Sequence, residues 1–248
     1  MSDSQPFFSI IIPAHNEEGS LAETLGAIVA AFAARGADDY EILVVNDNST
    51  DGTESVARGW AARDPRIWHV NNPPPHGFGY AVRCGLNHFK GDAACIVMAD
   101  LSDDPADIYV YYTKMKAGAE CVFGSRFIKG AVVVDYPRFK LAVNRLANWF
   151  IKTLFRIPHN DITNAFKCYR RDVIEGLKPF LSAHFNLTVE LPLKAIIRGY
   201  QYATVPIAWR NRKAGQSKLQ MQEMGSRYLF IVLYALLEKW LSKGDYRR

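Results

Sequence analysis

The sequence predicts a layered α/β fold, a mostly parallel sheet with helices on both faces, and three observations carry that expectation. Short apolar runs alternate with amphipathic stretches through the whole first half. The runs lack polar alternation, the mark of strands buried on both faces. Each run also ends in a polar, charged or small-residue segment, the place where open parallel sheets bind their ligands.

The elements follow in order. FSIII (8–12) is a β-branched strand, and Leu21, Leu25, Ile28, Val29 and Phe32 then recur at helical spacing. EILVV (41–45) is the second strand, followed by the helix DGTESVARGWAAR. RIWHV (66–70) is the third, with a helix from about Phe78 to Phe89, and ACIVM (94–98) the fourth, with a helix from Pro105 to Lys116. ECVFG (120–124) is the fifth. Beyond Arg126 the pattern loosens into an amphipathic helix at 141–157, a polar loop leading to AFKCY, two helical stretches and the strand-like YATVPIAW. The strand exits PAHNEE, NDNSTDGT, NNPPPHGFG, ADLSDDP and GSRF are the expected site.

The 248 residues, 49% of them hydrophobic, suffice for one large domain or a domain plus an extension. Cys84, Cys95, Cys121 and Cys168 are widely spaced without a CxxC, which reads as reduced thiols rather than a disulfide framework or a zinc site. MSDSQPFFSI has neither a basic segment nor a long apolar core, so no signal peptide is expected and the compartment reads as cytoplasmic.

The net charge of +5 is unevenly spread. Residues 1–125 hold 8 Lys/Arg against 17 Asp/Glu, whereas 126–248 hold 22 against 8. A basic second half suits an anionic partner: nucleic acid, a phosphorylated substrate or a membrane surface. No nucleic-acid-binding motif is recognisable, so nucleic acid is not expected. The run YLFIVLYALL (228–237) is uncharged but too short for a bilayer, which takes about 20 residues. It reads either as a core helix or as an interfacial one, the cations Lys239, Lys243, Arg247 and Arg248 beyond it favouring the interface.

The exits exclude two nucleotide-binding classes. A dinucleotide fold needs glycines after its first strand so that pyrophosphate meets bare backbone, but PAHNEE has none and carries two acids. No GxxxxGK[ST] phosphate loop exists either. Acids at strand exits instead accept hydrogen bonds from a base or ribose, a role suiting Asp47, or hold a divalent cation that holds phosphates, a role suiting Asp100. Asp104-Pro105 reads as a helix cap followed by proline at the first helical position.

The set SIIIPAHNEE, EILVVNDNSTDGT, VMADLSDDP, GSRF, DITNAFKCY and RKAGQSKL, spanning about Phe8 to Leu219, resembles the family 2 glycosyltransferases of GT-A fold. Within them it looks most like the dolichol- and polyprenol-phosphate mannose or glucose synthases. The resemblance implies a Rossmann-like GT-A catalytic domain over 1–219 and a C-terminal apolar and basic amphipathic helix over 220–248, peripheral on the cytoplasmic face of a membrane. It implies inverting transfer of a hexose from a nucleotide-diphosphate sugar of the GDP-mannose or UDP-glucose type to a polyprenyl phosphate, with Mg²⁺ or Mn²⁺. By the same resemblance Pro13, Ala14, Asn16 and Glu17 surround the base, and Asp47 reads base or ribose. Asp100 and Ser102 stand on the metal side, Arg126 faces the acceptor phosphate, and Asp161, Thr163, Asn164 and Phe166 lie near the reaction centre. Arg212, Ser217 and Lys218 close over the diphosphate. An anchoring membrane protein or a second copy of the chain stays open as a partner.

Two positions depart from the family pattern. Met98 stands where the first acid of the metal-binding Asp-x-Asp is usual, and a thioether is a poor ligand for a hard cation. Asn46 stands where the first of two adjacent acids is usual, although an amide still accepts from a ribose hydroxyl. Both leave room for altered donor choice or for a catalytically weak nucleotide-sugar-binding subunit; the nearest rival to a lipid-phosphate acceptor is a family 2 transferase acting on a polysaccharide or other glycan hydroxyl, with Glu190 or Asp103 as base.

Overall fold

The computed structural model describes residues 7–211, 221–242 and 244–246. Seven strands form the main sheet in the order β3-β2-β1-β4-β7-β5-β8. They are β1 (Phe8–Ala14), β2 (Tyr40–Asn46), β3 (Ile67–Asn71), β4 (Ala93–Ile96), β5 (Cys121–Ser125), β7 (Lys167–Arg170) and β8 (Tyr202–Pro206). All run parallel except β7, which is antiparallel to both β4 and β5. Short β6 (Val132–Val134) and β9 (Ala208–Arg210) form a second, two-stranded sheet.

The five strands expected in the first half are all present, and the fourth is shorter than its apolar run. β4 stops at Ile96, so Met98 lies beyond the ladder. The run at 202–209 is not one strand: it breaks at Ile207, which lets its two halves join different sheets.

Uniformly apolar strands require cover on both faces, and the register supplies it. Phe8, Ile10 and Ile12 of β1 pack with Leu21, Leu25, Ile28 and Phe32 of α1 (Glu18–Ala33) and with Ile108 and Tyr111 of α4 (Pro105–Lys116). α2 (Thr53–Ala61) adds Ala57 to that side. On the opposite face, Ile11, Leu43 and Val45 meet Ala81, Val82 and Leu86 of α3 (Phe78–His88). α3 lies so close to β1 that a Cβ on Gly85 would overlap the Ile11 side chain. α6 (Arg171–Gly176) and α7 (Leu187–Ile197) complete this layer through Val173, Leu187 and Leu191. All four cysteines are free and buried, as their spacing suggested.

A third cluster joins α5 (Arg138–Phe155), α7 and α8 (Met221–Leu241) through Ile151, Phe155, Val189, Leu193, Ile231, Val232 and Ala235. Arg198, just past α7, makes a buried two-pronged pair with Glu238 of α8 at 2.7 and 2.9 Å, and Lys239 Nζ donates to the Phe155 carbonyl at 2.6 Å. The apolar tail is therefore a core helix on one side. Its other side exposes Leu229, Phe230, Leu233, Leu237 and Trp240, and α5 likewise exposes Phe139, Leu146, Trp149 and Phe150. No described helix is long and apolar enough to cross a membrane.

Candidate active site

The parallel strands deliver their carboxyl ends to one rim, where the exits after β1 and β2 are laced together. Asn16, in the left-handed region at φ 54°, accepts from the Thr50 amide through Oδ1 at 2.8 Å while its own amide donates to Ser49 Oγ. Asparagine tolerates that conformation better than most residues. The Glu17 amide donates to Thr53 Oγ1 at 2.8 Å, and Glu18 accepts from the Gly52 amide. Pro13 and Ala14 are not in the loop expected to surround a base; they are the last, buried residues of β1, and the loop begins at His15.

Asp47 follows β2 as expected, but its carboxylate is already engaged. Oδ1 accepts from Asn72 Nδ2 at 2.8 Å and lies 3.2 Å from His76 Nδ1, and Oδ2 accepts from the Gly77 amide at 2.9 Å. Asp47 is thus a fixed wall that holds the exit after β3 against the exit after β2. Asn46 turns to Asn71, donating through Nδ2 to its Oδ1 at 2.9 Å.

The stretch after β4 shows why an apolar run ends in acids. Asp100 accepts from the Ser102 amide at 3.0 Å, closing an Asx turn, with Leu101 at φ 55° inside it. Asp103 is buried and accepts from the Met98 amide at 3.3 Å. Burial and then the neighbouring Asp100 push its carboxyl up to about 7. Asp104 caps α4, accepting from Ala106, with Pro105 at the first helical position. Of the three acids, Asp104 is structural, Asp103 is buried, and half-buried Asp100 remains at the rim. No group of three or more His, Cys, Asp or Glu among the described residues is arranged to hold a metal alone. One carboxylate beside Ser102 still fits a hard divalent cation, which binds through one or two carboxylates when phosphates and water complete its shell.

Opposite lies a basic centre. Arg126, after β5, is buried against Asp161: Nε and Nη2 donate to the two carboxylate oxygens at 2.8 and 2.7 Å, and the Arg126 amide adds a third bond at 2.9 Å. Burial opposes the guanidinium charge, but Asp161 more than offsets it and raises the Arg126 pKa. Two residues expected to act separately, one on the acceptor phosphate and one at the reaction centre, are a single ion pair here. Its outer side is aromatic: the Arg126 guanidinium lies 5.3, 5.6 and 5.9 Å from the rings of Phe127, Tyr136 and Trp209. Asn144 and Asn148 of α5 both donate to Thr163 Oγ1 at 2.9 Å, and Asn164 Oδ1 accepts from the Phe166 amide at 3.2 Å.

Composition and motifs missed Lys167. It is 1% exposed, and its ammonium donates only to backbone carbonyls, those of Ile162 (2.9 Å), Asn164 and Thr188 (3.4 Å), pinning the 161–166 loop to α7. Burial pushes its pKa down to about 7, Asp161 pulling the other way. An unfolded lysine titrates near about 10.4, so between about 7 and 10.4 the unfolded chain binds more protons and this group makes stability rise with pH. Lys167→Met should remove up to about 1.4 kcal/mol per pH unit from the slope of unfolding free energy between pH 7 and 9, read by denaturant titration. Equal slopes in both proteins would rule out the buried, titrating lysine. His76, Asn72 and the Tyr136–Trp209 pair were also missed; His76 lay inside a marked strand exit, whereas nothing in the sequence flagged Trp209.

Glu190, the expected base for a hydroxyl acceptor, is ruled out for that role. It is buried, accepts from the Leu181 and Ser182 amides, and pairs with Lys194 at 2.6 Å. Arg212, Ser217 and Lys218 lie outside the described residues.

A mostly parallel α/β sheet with a glycine-free exit after β1, acids after β2 and β4 and a buried guanidinium after β5 fits a GT-A type glycosyltransferase. The model of glycosyl transferase family 2 matches residues 9–177, and the chain belongs to that family. It is 31% identical over 216 residues to the polyprenol monophosphomannose synthase of Mycolicibacterium smegmatis, covering 85% of this chain and 80% of the relative. It is 27% identical over 237 residues to the undecaprenyl-phosphate mannosyltransferase of Micrococcus luteus, covering 93% and 94%. Among solved structures, glucosyl-3-phosphoglycerate synthase from Mycobacterium tuberculosis, crystallised with Mn²⁺, UDP and phosphoglyceric acid, superposes with a TM-score of 0.71 at 18% identity. That match covers 94% of this chain and 78% of the other, and it shows the shared fold.

Proposed function

We propose that this enzyme transfers a hexose, with inversion, from a nucleotide-diphosphate sugar to the phosphate of a polyprenyl lipid at a membrane surface. The names of the two curated relatives favour mannose as the sugar and a lipid phosphate as the acceptor. The carrying observation is α5: its Asn144 Oδ1 accepts from Arg126 Nη2 of the Arg126–Asp161 pair at 3.4 Å, and outward the helix presents basic and apolar side chains. A soluble glycan acceptor has no use for Phe139, Leu146 and Trp149 exposed beside cations. A membrane lipid does, and the same surface with the outer face of α8 suits peripheral attachment.

In the reaction a lipid phosphate oxygen attacks the anomeric carbon as its bond to the diphosphate breaks, and the nucleoside diphosphate leaves. A lipid phosphate, with a second pKa of about 6, is largely ionised already, so positioning by cations replaces a general base. The interlocked exits carrying Asn16, Glu17 and Asp47 wall the nucleotide. Asp100 and Ser102 would hold Mg²⁺ or Mn²⁺, which supplies positive charge where the leaving diphosphate develops negative charge. Arg126, kept charged by Asp161, faces the acceptor side, and Arg212, Ser217 and Lys218 are suited to the diphosphate.

The test is the purified protein with Mg²⁺ or Mn²⁺, radiolabelled nucleotide sugars and a polyprenyl phosphate, followed by extraction into organic solvent. Label in the organic phase, released by mild acid, is the expected result. Label only in a water-soluble glycan would overturn the lipid acceptor, and nucleotide binding by calorimetry without turnover would overturn the enzyme.

A further inference from the structure

Two aromatic side chains stand between the part of the rim suited to a diphosphate and the part suited to an acceptor. Trp209 lies in β9 and Tyr136 in the turn after β6, and their rings pack with centroids 4.6 Å apart and planes at 40°. Main-chain bonds hold them there. Trp209 forms an antiparallel bridge with Asp103, the Arg210 amide donates to the Ser102 carbonyl at 3.0 Å, and the Asn211 amide donates to the Val134 carbonyl at 3.1 Å. One edge of β9 is thereby tied to the turn that carries Asp100 and Ser102, and the other to β6. The Arg126 guanidinium lies 5.6 Å from the Tyr136 ring and 5.9 Å from that of Trp209. We propose that the Tyr136–Trp209 pair is the platform on which the donor's hexose rests, the rings packing against the C–H face of the sugar. The inference rests on the transfer reaction above and gives the transferred group its seat.

The reaction itself fixes where the sugar must be. Its anomeric carbon is bonded to the diphosphate and receives the acceptor oxygen, so the hexose lies between the two. On that reading the diphosphate belongs beside Asp100 and Ser102 and the acceptor beside Arg126, and the aromatic pair is tied to the first place and packed on the second. The two places are close together. Burial raises the Asp103 carboxyl most, Asp100 raises it further and Arg126 lowers it, so Asp103 feels charge from both sides. Both rings are half-buried, held by the fold with part of their surface open. A pyranose suits such a surface: its hydroxyls point outward from the ring, while its C–H groups meet the negative face of an aromatic better than they meet water. The same faces attract the positive charge that the sugar gains as its bond to the diphosphate breaks.

The competing role is packing alone, in which the rings do no more than hold Arg126 and the Ser102 turn in place. Calorimetry with Mn²⁺ separates the two by comparing GDP-mannose with GDP and UDP-glucose with UDP, pairs that differ only by the hexose. In Trp209→Leu and in Tyr136→Leu the nucleotide sugar that the parent binds should bind about tenfold more weakly, while its nucleoside diphosphate stays within about twofold. Trp209→Phe and Tyr136→Phe keep a ring and should hold both ligands within about threefold of the parent. Thermal melts check folding; Tyr136 lies outside every strand and helix, so its variant decides the question if Trp209→Leu does not fold. In transfer assays the Leu variants should lower kcat/KM for the donor by about tenfold or more and leave the acceptor KM within about twofold. Equal weakening of nucleotide sugar and diphosphate, no weakening of either, or a change confined to the acceptor KM would overturn the platform. Selective loss of hexose binding in the variants, with no transfer to lipid phosphate by the parent, would keep the platform and overturn the proposed reaction instead.

Discussion

Asp100→Ala is expected to lower the rate of sugar transfer about a thousandfold and to make nucleotide diphosphate binding indifferent to Mn²⁺. The expectation follows from the three acids beyond β4. Asp104 caps its helix and Asp103 is buried against the Met98 amide, whereas Asp100 is half-buried in the turn that follows β4. Met98 offers only a thioether where a second acid is usual, so the loss falls on Asp100. Steady-state kinetics at saturating metal and calorimetry with and without Mn²⁺ check the two halves separately. Turnover within about tenfold of the parent would remove Asp100 from the metal role, and Asp103→Asn would become the next variant to make.

Asp161→Ala should act first on stability. It strands a buried guanidinium that makes its shortest side-chain bonds to that one carboxylate, a loss of about 3–5 kcal/mol when one partner of a buried pair is removed. For a chain of this size that lowers the melting temperature by about 10 °C. The pair Arg126→Met with Asp161→Leu removes both charges and should recover most of the melting temperature while transfer stays lost, because an apolar replacement of similar volume folds but attracts no anion. Thermal melts and transfer assays on both proteins decide it. Full activity in the double variant would mean that the ion pair serves packing alone.

Much of the architecture was legible because strands buried on both faces carry no polar alternation, and FSIII, EILVV and ECVFG could be little else. Asp104-Pro105 was equally plain, since capping is a local device. What stayed hidden depends on contacts far apart in the chain. Asp47 looked like an available acceptor until Asn72, His76 and Gly77 came to it from another loop. Arg126 and Asp161, 35 positions apart, looked like two functions. Lys167 follows a recognisable motif, but its burial among three carbonyls follows from the approach of α7, which no window of sequence contains. YATVPIAW read as one strand because a change of sheet at Ile207 leaves the local pattern apolar.

The reversed direction of β7 has a consequence for how such enzymes diversify. β5 ends and β7 begins at the same edge, Phe123 lying opposite Lys167, so everything from Arg126 to Phe166 departs from and comes home to one spot. Its one strand, β6, pairs outside the main sheet with β9, so the excursion can change in length without moving β1 to β4. On the proposed reaction, a change of acceptor would rewrite one contiguous insert and leave the strand order of the sheet as it is.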